Sequence, residues 1–170
     1  MQLVKMAKKS KMTNYVIKGI AGACAFLASM MLICPVLIGT SSVAGVSSST
    51  RTQNLFDIWE FGLDGASADY AIMTICFSIM FFLGLIMAVM FVLNMFVNSK
   101  LIDKILMVAG IVFAILAVVG LICAFVYGGS NSESAMGVKI SISAGVGAIL
   151  ATIFSVATCA MSFAEKSLTK

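Results

Sequence analysis

The chain has no histidine, a single proline (Pro35) and a single tryptophan (Trp59). Only 11% of its 170 residues are charged, against about 25% in soluble domains. Each shortage excludes a class of function. Without histidine, zinc and haem sites lose their commonest ligand, a serine nucleophile has no imidazole base, and the usual sensor of pH between 5 and 8 is missing. No CxxC pair, HExxH, P-loop or GxSxG stretch occurs. The five cysteines, Cys24, Cys34, Cys76, Cys123 and Cys159, all fall within apolar runs. They read as small buried hydrophobes and not as a disulfide framework. No catalytic residue, metal site or cofactor is therefore expected, and an enzyme is not.

What the chain has in excess is apolar surface. Hydrophobic residues make up 61% of it and the mean hydropathy is +1.11. A soluble domain of this length buries only about two-thirds of its surface, too little to hide so much. A bilayer removes the difficulty, and a span needs about 20 mainly apolar residues. Four stretches qualify: residues 15–39, 70–97, 101–127 and 138–163. Tyr15, Tyr70 and Tyr127 stand at span ends, where amphipathic rings favour the interface. The expected fold is all-α: one membrane domain over residues 1–170, a tetraspan four-helix bundle.

The net charge of +4 does not point to nucleic acid, because the lysines flank the greasy runs. Lys5, Lys8, Lys9, Lys11 and Lys18 precede or open the first span. Lys100 and Lys104 lie around the turn at 98–100, and Lys166 and Lys170 in the tail at 164–170. The connections 40–69 and 128–137 and their borders hold only Arg51 and Lys139. Positive residues mark the cytoplasmic side, which predicts both termini inside and a plasma-membrane, multi-pass protein. The first run exceeds the 7–15 apolar residues of a leader. It is read as a retained helix, although Ser42-Val43-Ala44 has the small-x-small look of a cleavage site.

The first outer loop divides in two. Residues 41–54, SSVAGVSSSTRTQN, read as a flexible linker. Residues 54–65, NLFDIWEFGLDG, read as a short amphipathic helix, with Asn54 as N-cap and Asp57 at its third position. Asp57, Glu60 and Asp64 share one face; Leu55, Ile58, Trp59 and Gly62 share another. Phe56, Trp59, Phe61 and Leu63 are the candidate partner contacts, since aromatic anchors dominate interfaces.

Small residues mark candidate helix seams. The fourth span carries Ser141, Gly145, Ala148, Thr152 and Ser155 at alternating spacings of four and three, and the third carries Gly110, Ala114, Ala117 and Ala124. Such stripes let backbones approach closely, so these two spans are expected to pack as a hairpin. The second span is bulky, with Phe77, Met80, Phe81, Phe82, Met87, Met90 and Phe91, and is expected to face lipid or a partner. Ionisable residues stay at span ends, where side chains snorkel; Asn94 is the most polar residue well inside a span.

The overall plan is similar to that of claudin-like tetraspan proteins: four spans, both ends inside, and a longer first outer loop containing Trp59 near Gly62-Leu63. That loop has no cysteine pair. The likeness is architectural, and no residue role is carried over. The expected function is a non-enzymatic accessory or scaffold subunit, contacting lipid and packing with itself or with other membrane proteins. The alternative is an oligomeric channel or facilitative transport component lined by the fourth-span Ser/Thr stripe.

Overall fold

A computed structural model describes residues 2–43, 47–62, 66–135 and 138–168. In chain order the elements are α1 (Gln2–Met31), β1 (Leu37–Val43), β2 (Ser47–Gln53), α2 (Leu55–Phe61), α3 (Ala68–Val97), α4 (Lys100–Ser130), β3 (Glu133–Ala135), β4 (Val138–Ala144) and α5 (Val146–Leu168). Four helices are long and apolar enough to cross a membrane: Met12–Met31 within α1, α3, α4, and Val146–Ala164 within α5. They pack in a ring, α1 beside α3, α3 beside α4, α4 beside α5, and α5 beside α1.

The all-α expectation is corrected by a four-stranded antiparallel sheet of order β2-β1-β4-β3 at one end of the bundle. The first span ends as helix at Met31, not at residue 39, and the fourth begins at Val146, not at 138. The intervening segments are strands, with Thr40 opposite both Thr50 and Ser141. Two local causes act at the first boundary. Pro35 lacks the N–H that would continue the helix, and the residue before a proline is pushed out of the α region. At the second, Val138, Ile140, Ile142 and Ala144 alternate with Lys139, Ser141 and Ser143, the period of a strand. The expected flexible linker is likewise corrected. Its residues 47–53 form β2, rich in Ser and Thr, along an edge of the sheet.

Backbone hydrogen bonds fasten the sheet to the helices. The carbonyls left open at the end of α1 take bonds from the amides three residues on, such as Cys34 N to Met31 O at 3.1 Å. The Leu32 carbonyl accepts the Leu55 amide of α2 at 3.1 Å, and the Pro35 carbonyl accepts the Gly147 amide of α5 at 2.8 Å. Val36 bonds both ways, its amide to Gln53 O at 2.8 Å and its carbonyl from Gly145 N at 2.7 Å. Orphan groups at helix ends thus satisfy one another across elements. The crossing is tight enough that a Cβ on Gly147 would stand 2.6 Å from the carbonyl oxygens of Cys34 and Met31.

Within the bundle, the expectation that α3 turns its bulk outward is corrected for most of that bulk. Phe77, Met80, Phe81, Met87 and Phe91 are buried, and of the phenylalanines between them only Phe82 is exposed. The reason lies on the facing helices. Ala21, Ala25 and Ala28 of α1, Ala117 and Ala124 of α4, and Ala148 and Ala151 of α5 are all buried. A ring of helices lined by such small side chains leaves a hollow, and the large residues fill it. Phe77 lies against Gly120, where a Cβ would come 2.8 Å from the ring. Phe113 from α4 fills the reciprocal notch at Gly84, where a Cβ would be 2.9 Å from Cζ.

Gly120→Ala should therefore lower the unfolding temperature in detergent, at a cost of about 1–3 kcal/mol for overpacking. Adding Phe77→Leu should recover part of that loss. A Gly120→Ala variant as stable as the parent would overturn the notch.

Candidate functional site

Two polar constellations stand out, one at each end of the bundle. At the sheet end, α2 is built as its sequence suggests. The Asn54 side chain accepts the amides of Phe56 (2.9 Å) and Asp57 (3.0 Å), while the Asp57 carboxylate accepts the Asn54 amide at 2.8 Å. This is a closed capping box, with an acid near the positive helix end. Leu55 and Ile58 are fully buried, and Asp57 and Glu60 are exposed.

Trp59 holds α2 onto α3. Its indole N–H donates to Ser78 Oγ at 2.6 Å, and Ser78 in turn donates to the Thr74 carbonyl at 2.6 Å. The indole stacks on Phe82 at 6.0 Å between centroids and meets Phe81 edge-on at 6.2 Å. Phe56 meets both Trp59 (5.2 Å) and Phe81 (6.0 Å) edge-on while keeping 44% of its surface exposed. Of the four candidate partner contacts, Trp59 and Phe56 thus belong to one aromatic cluster with Phe81 and Phe82, in which Phe56 and Phe82 are exposed. The side chain of Phe61, and Leu63 altogether, lie outside the described residues. Asp64, expected beside Asp57 and Glu60, also lies outside them.

At the opposite end, the expectation that Lys18 snorkels is corrected. Lys18 is 1% exposed. Its ammonium lies 3.2 Å from the Asp103 carboxylate of α4, and it donates to Asn98 Oδ1 at 3.1 Å and to the Asn94 carbonyl at 3.4 Å. Asn94, fully buried on α3, donates from Nδ2 to Asp103 and accepts the Ser99 amide at 3.1 Å. Asn98 ends α3 in the left-handed region at φ 49°, a conformation asparagine tolerates. One cluster therefore ties α1, the end of α3 and the start of α4. A charge enclosed within the bundle must be paired, because a buried ion left without a partner is strongly destabilising. The sequence signal was available: Lys18 and Asp103 are opposite charges near the same face of the membrane, with Asn94 between them. Their spatial adjacency was not. A small cavity of about 70 Å³, lined by Asn14, Tyr15, Lys18 and Asn98, adjoins the cluster.

The seam residues distribute as follows. In α5, Ala148, Thr152 and Ser155 are buried; Ser141 lies in β4 and not in the helix, and Gly145 is the buried link between them. Thr152 Oγ1 lies 2.8 Å from the Ala148 carbonyl and 3.3 Å from the Ala117 carbonyl of α4. Ser155, Thr158 and Ser162 donate to backbone carbonyls of their own helix at 2.9, 2.9 and 3.0 Å. In α4, Gly110, Ala117 and Ala124 are buried and Ala114 is half-buried. A Cβ on Gly110 would stand 3.4 Å from Ser162 Oγ of α5. All five cysteines are free, and among the described residues no group of three metal-ligating side chains converges.

These features define the class: a helical, multi-span membrane chain with a small antiparallel sheet over one end of its bundle. No family model, curated protein or solved structure matches the chain.

Lys18→Met and Asp103→Leu should each destabilise the fold by roughly 1–3 kcal/mol, less than the ~3–5 kcal/mol of a fully buried pair because Asp103 keeps some solvent. The double variant should be less damaging than the sum, read as a double-mutant cycle of thermal unfolding in detergent. Strict additivity would remove the pair.

Proposed function

We propose that the chain is a non-enzymatic accessory or scaffold subunit of the plasma membrane, with both termini cytoplasmic, that packs with itself or with other membrane proteins through its sheet end. The supporting observation is the way that end is built. The segment between α1 and β1 takes backbone bonds from α2 and from the start of α5 and, through Val36, reaches β2; α2 is closed by its capping box and pinned by Trp59 to Ser78. A platform so fixed loses little conformational freedom when something docks on it, which is what preorganisation contributes to binding. Among the described candidate contacts, Phe56 is the exposed one, beside the acids Asp57 and Glu60. Orientation rests on the distribution of Lys and Arg.

The alternative of a channel lined by the fourth-span stripe draws no support from hydroxyls that are buried and bonded to backbone within one bundle. In this reading Ala148, Thr152 and Ser155, with Gly110, Ala117 and Ala124, serve helix packing.

Gentle detergent extraction followed by mass analysis tests the scaffold reading. Phe56→Ser and Glu60→Lys should reduce a co-purifying partner, or the self-associated form, at least several-fold while membrane insertion and helicity stay unchanged. Trp59→Ala is the less informative variant, because it also frees α2. A complex unchanged by both Phe56→Ser and Glu60→Lys would sink docking at this surface.

A further inference from the structure

The chain's charge is split between its two ends. Nine of the eleven Lys and Arg residues lie in the N-terminal stretch up to Lys18, around the α3–α4 turn or in the C-terminal tail. Five of the seven acids (Asp57, Glu60, Asp64, Asp69 and Glu133) fall in the sequence stretches 40–69 and 128–137 that connect the spans. At the lysine-rich end, Asp103 is already engaged by Lys18 and Asn94. Lys100 and Lys104, one helical turn apart on α4, are both exposed. Neither forms an ion pair among the described residues.

Below Lys104 runs a groove of about 480 Å³, lined by Leu83 of α3 and by Lys104, Ile105, Val108, Ala109 and Val112 of α4. It is apolar apart from the lysine. Val108 and Val112 are exposed on the bundle's outer surface, where lipid tails lie. From Lys104 to Val112 the helix rises about 12 Å, close to the ~15 Å depth of one hydrocarbon leaflet. A cation at headgroup depth above an acyl-sized furrow matches one molecule in both parts.

We infer that this groove is a binding site for an acidic phospholipid, one acyl chain lying along Ile105, Val108 and Val112 and the headgroup phosphate on Lys104, with Lys100 adding to the field. Charge complementarity selects the headgroup. A zwitterionic lipid brings its own cation to a site that already holds two. A free phosphate fits the lysine but leaves the furrow unused. The Lys18–Asp103 pair takes part indirectly, since it engages the carboxylate next to Lys104 in the chain.

Native mass spectrometry of the full chain in a neutral detergent tests this, with phosphatidylglycerol and phosphatidylcholine of equal chain length as probes. The parent should retain one phosphatidylglycerol about tenfold better than phosphatidylcholine. Lys104→Gln should abolish that preference, and Lys104→Arg should keep most of it. Val108→Trp, which fills the furrow from its lipid side, should weaken phosphatidylglycerol retention several-fold with Lys104 intact. The pair Lys8→Gln and Lys9→Gln serves as control and should leave the single retained lipid in place. Equal retention of the two lipids by the parent would overturn the site, as would a preference that survives Lys104→Gln. Displacement of phosphatidylglycerol by equimolar inorganic phosphate would overturn the acyl part of it.

Discussion

The fold depends on large side chains entering notches that glycine and alanine leave open. In lipid, burying a leucine against another helix gains little over leaving it among acyl chains, so shape and dispersion decide which helices meet. Phe77 against Gly120 and Phe113 against Gly84 are the clearest pairs. Each seats a ring where the opposite backbone has no Cβ, and together they join α3 to α4 in both directions. The small residues of α1 and α5 close the other sides of the ring. Hydroxyls in α5 add specificity to the packing, and each described one bonds a backbone carbonyl.

At both ends the bundle must settle groups that lipid cannot satisfy. The sheet end does this with backbone. Carbonyls released by the stop at Pro35 and amides exposed at the start of α2 and α5 find one another, and the strands extend the arrangement outward. The lysine end does it with side chains, through Lys18, Asn94, Asn98 and Asp103. The first solution yields a fixed platform. The second neutralises one negative charge at the lysine-rich end.

The sequence displayed some of this well and some of it poorly, for physical reasons. Spans are legible because hydrocarbon imposes length and composition on them. The α2 cap is legible because Asn54 and Asp57 are three residues apart and act locally. The sheet was not read, since residues 37–39 and 138–144 are apolar enough to merge with the neighbouring runs. Their pairing partners lie about a hundred residues away, as with Thr40 and Ser141. The alternation in VKISISA was the available sign. Hydropathy also fails to separate core from lipid, so the bulk of α3 was assigned outward when the alanines facing it require it inside. Nothing local marks Lys18 as paired, because its partner, Asp103, is distant in sequence.

The central pairing of β1 with β4 has a consequence for how the chain is made. These strands adjoin the first and last membrane helices, and the Gly147 amide of α5 bonds the Pro35 carbonyl between α1 and β1. Contacts of such sequence separation form slowly, because the long loop between them must close first. On the ribosome, β1 emerges about a hundred residues before β4. Until then one side of β1 lacks its partner, and the maturing protein carries an unfilled strand position. Emergence of β4 is thus itself the assembly signal for the platform.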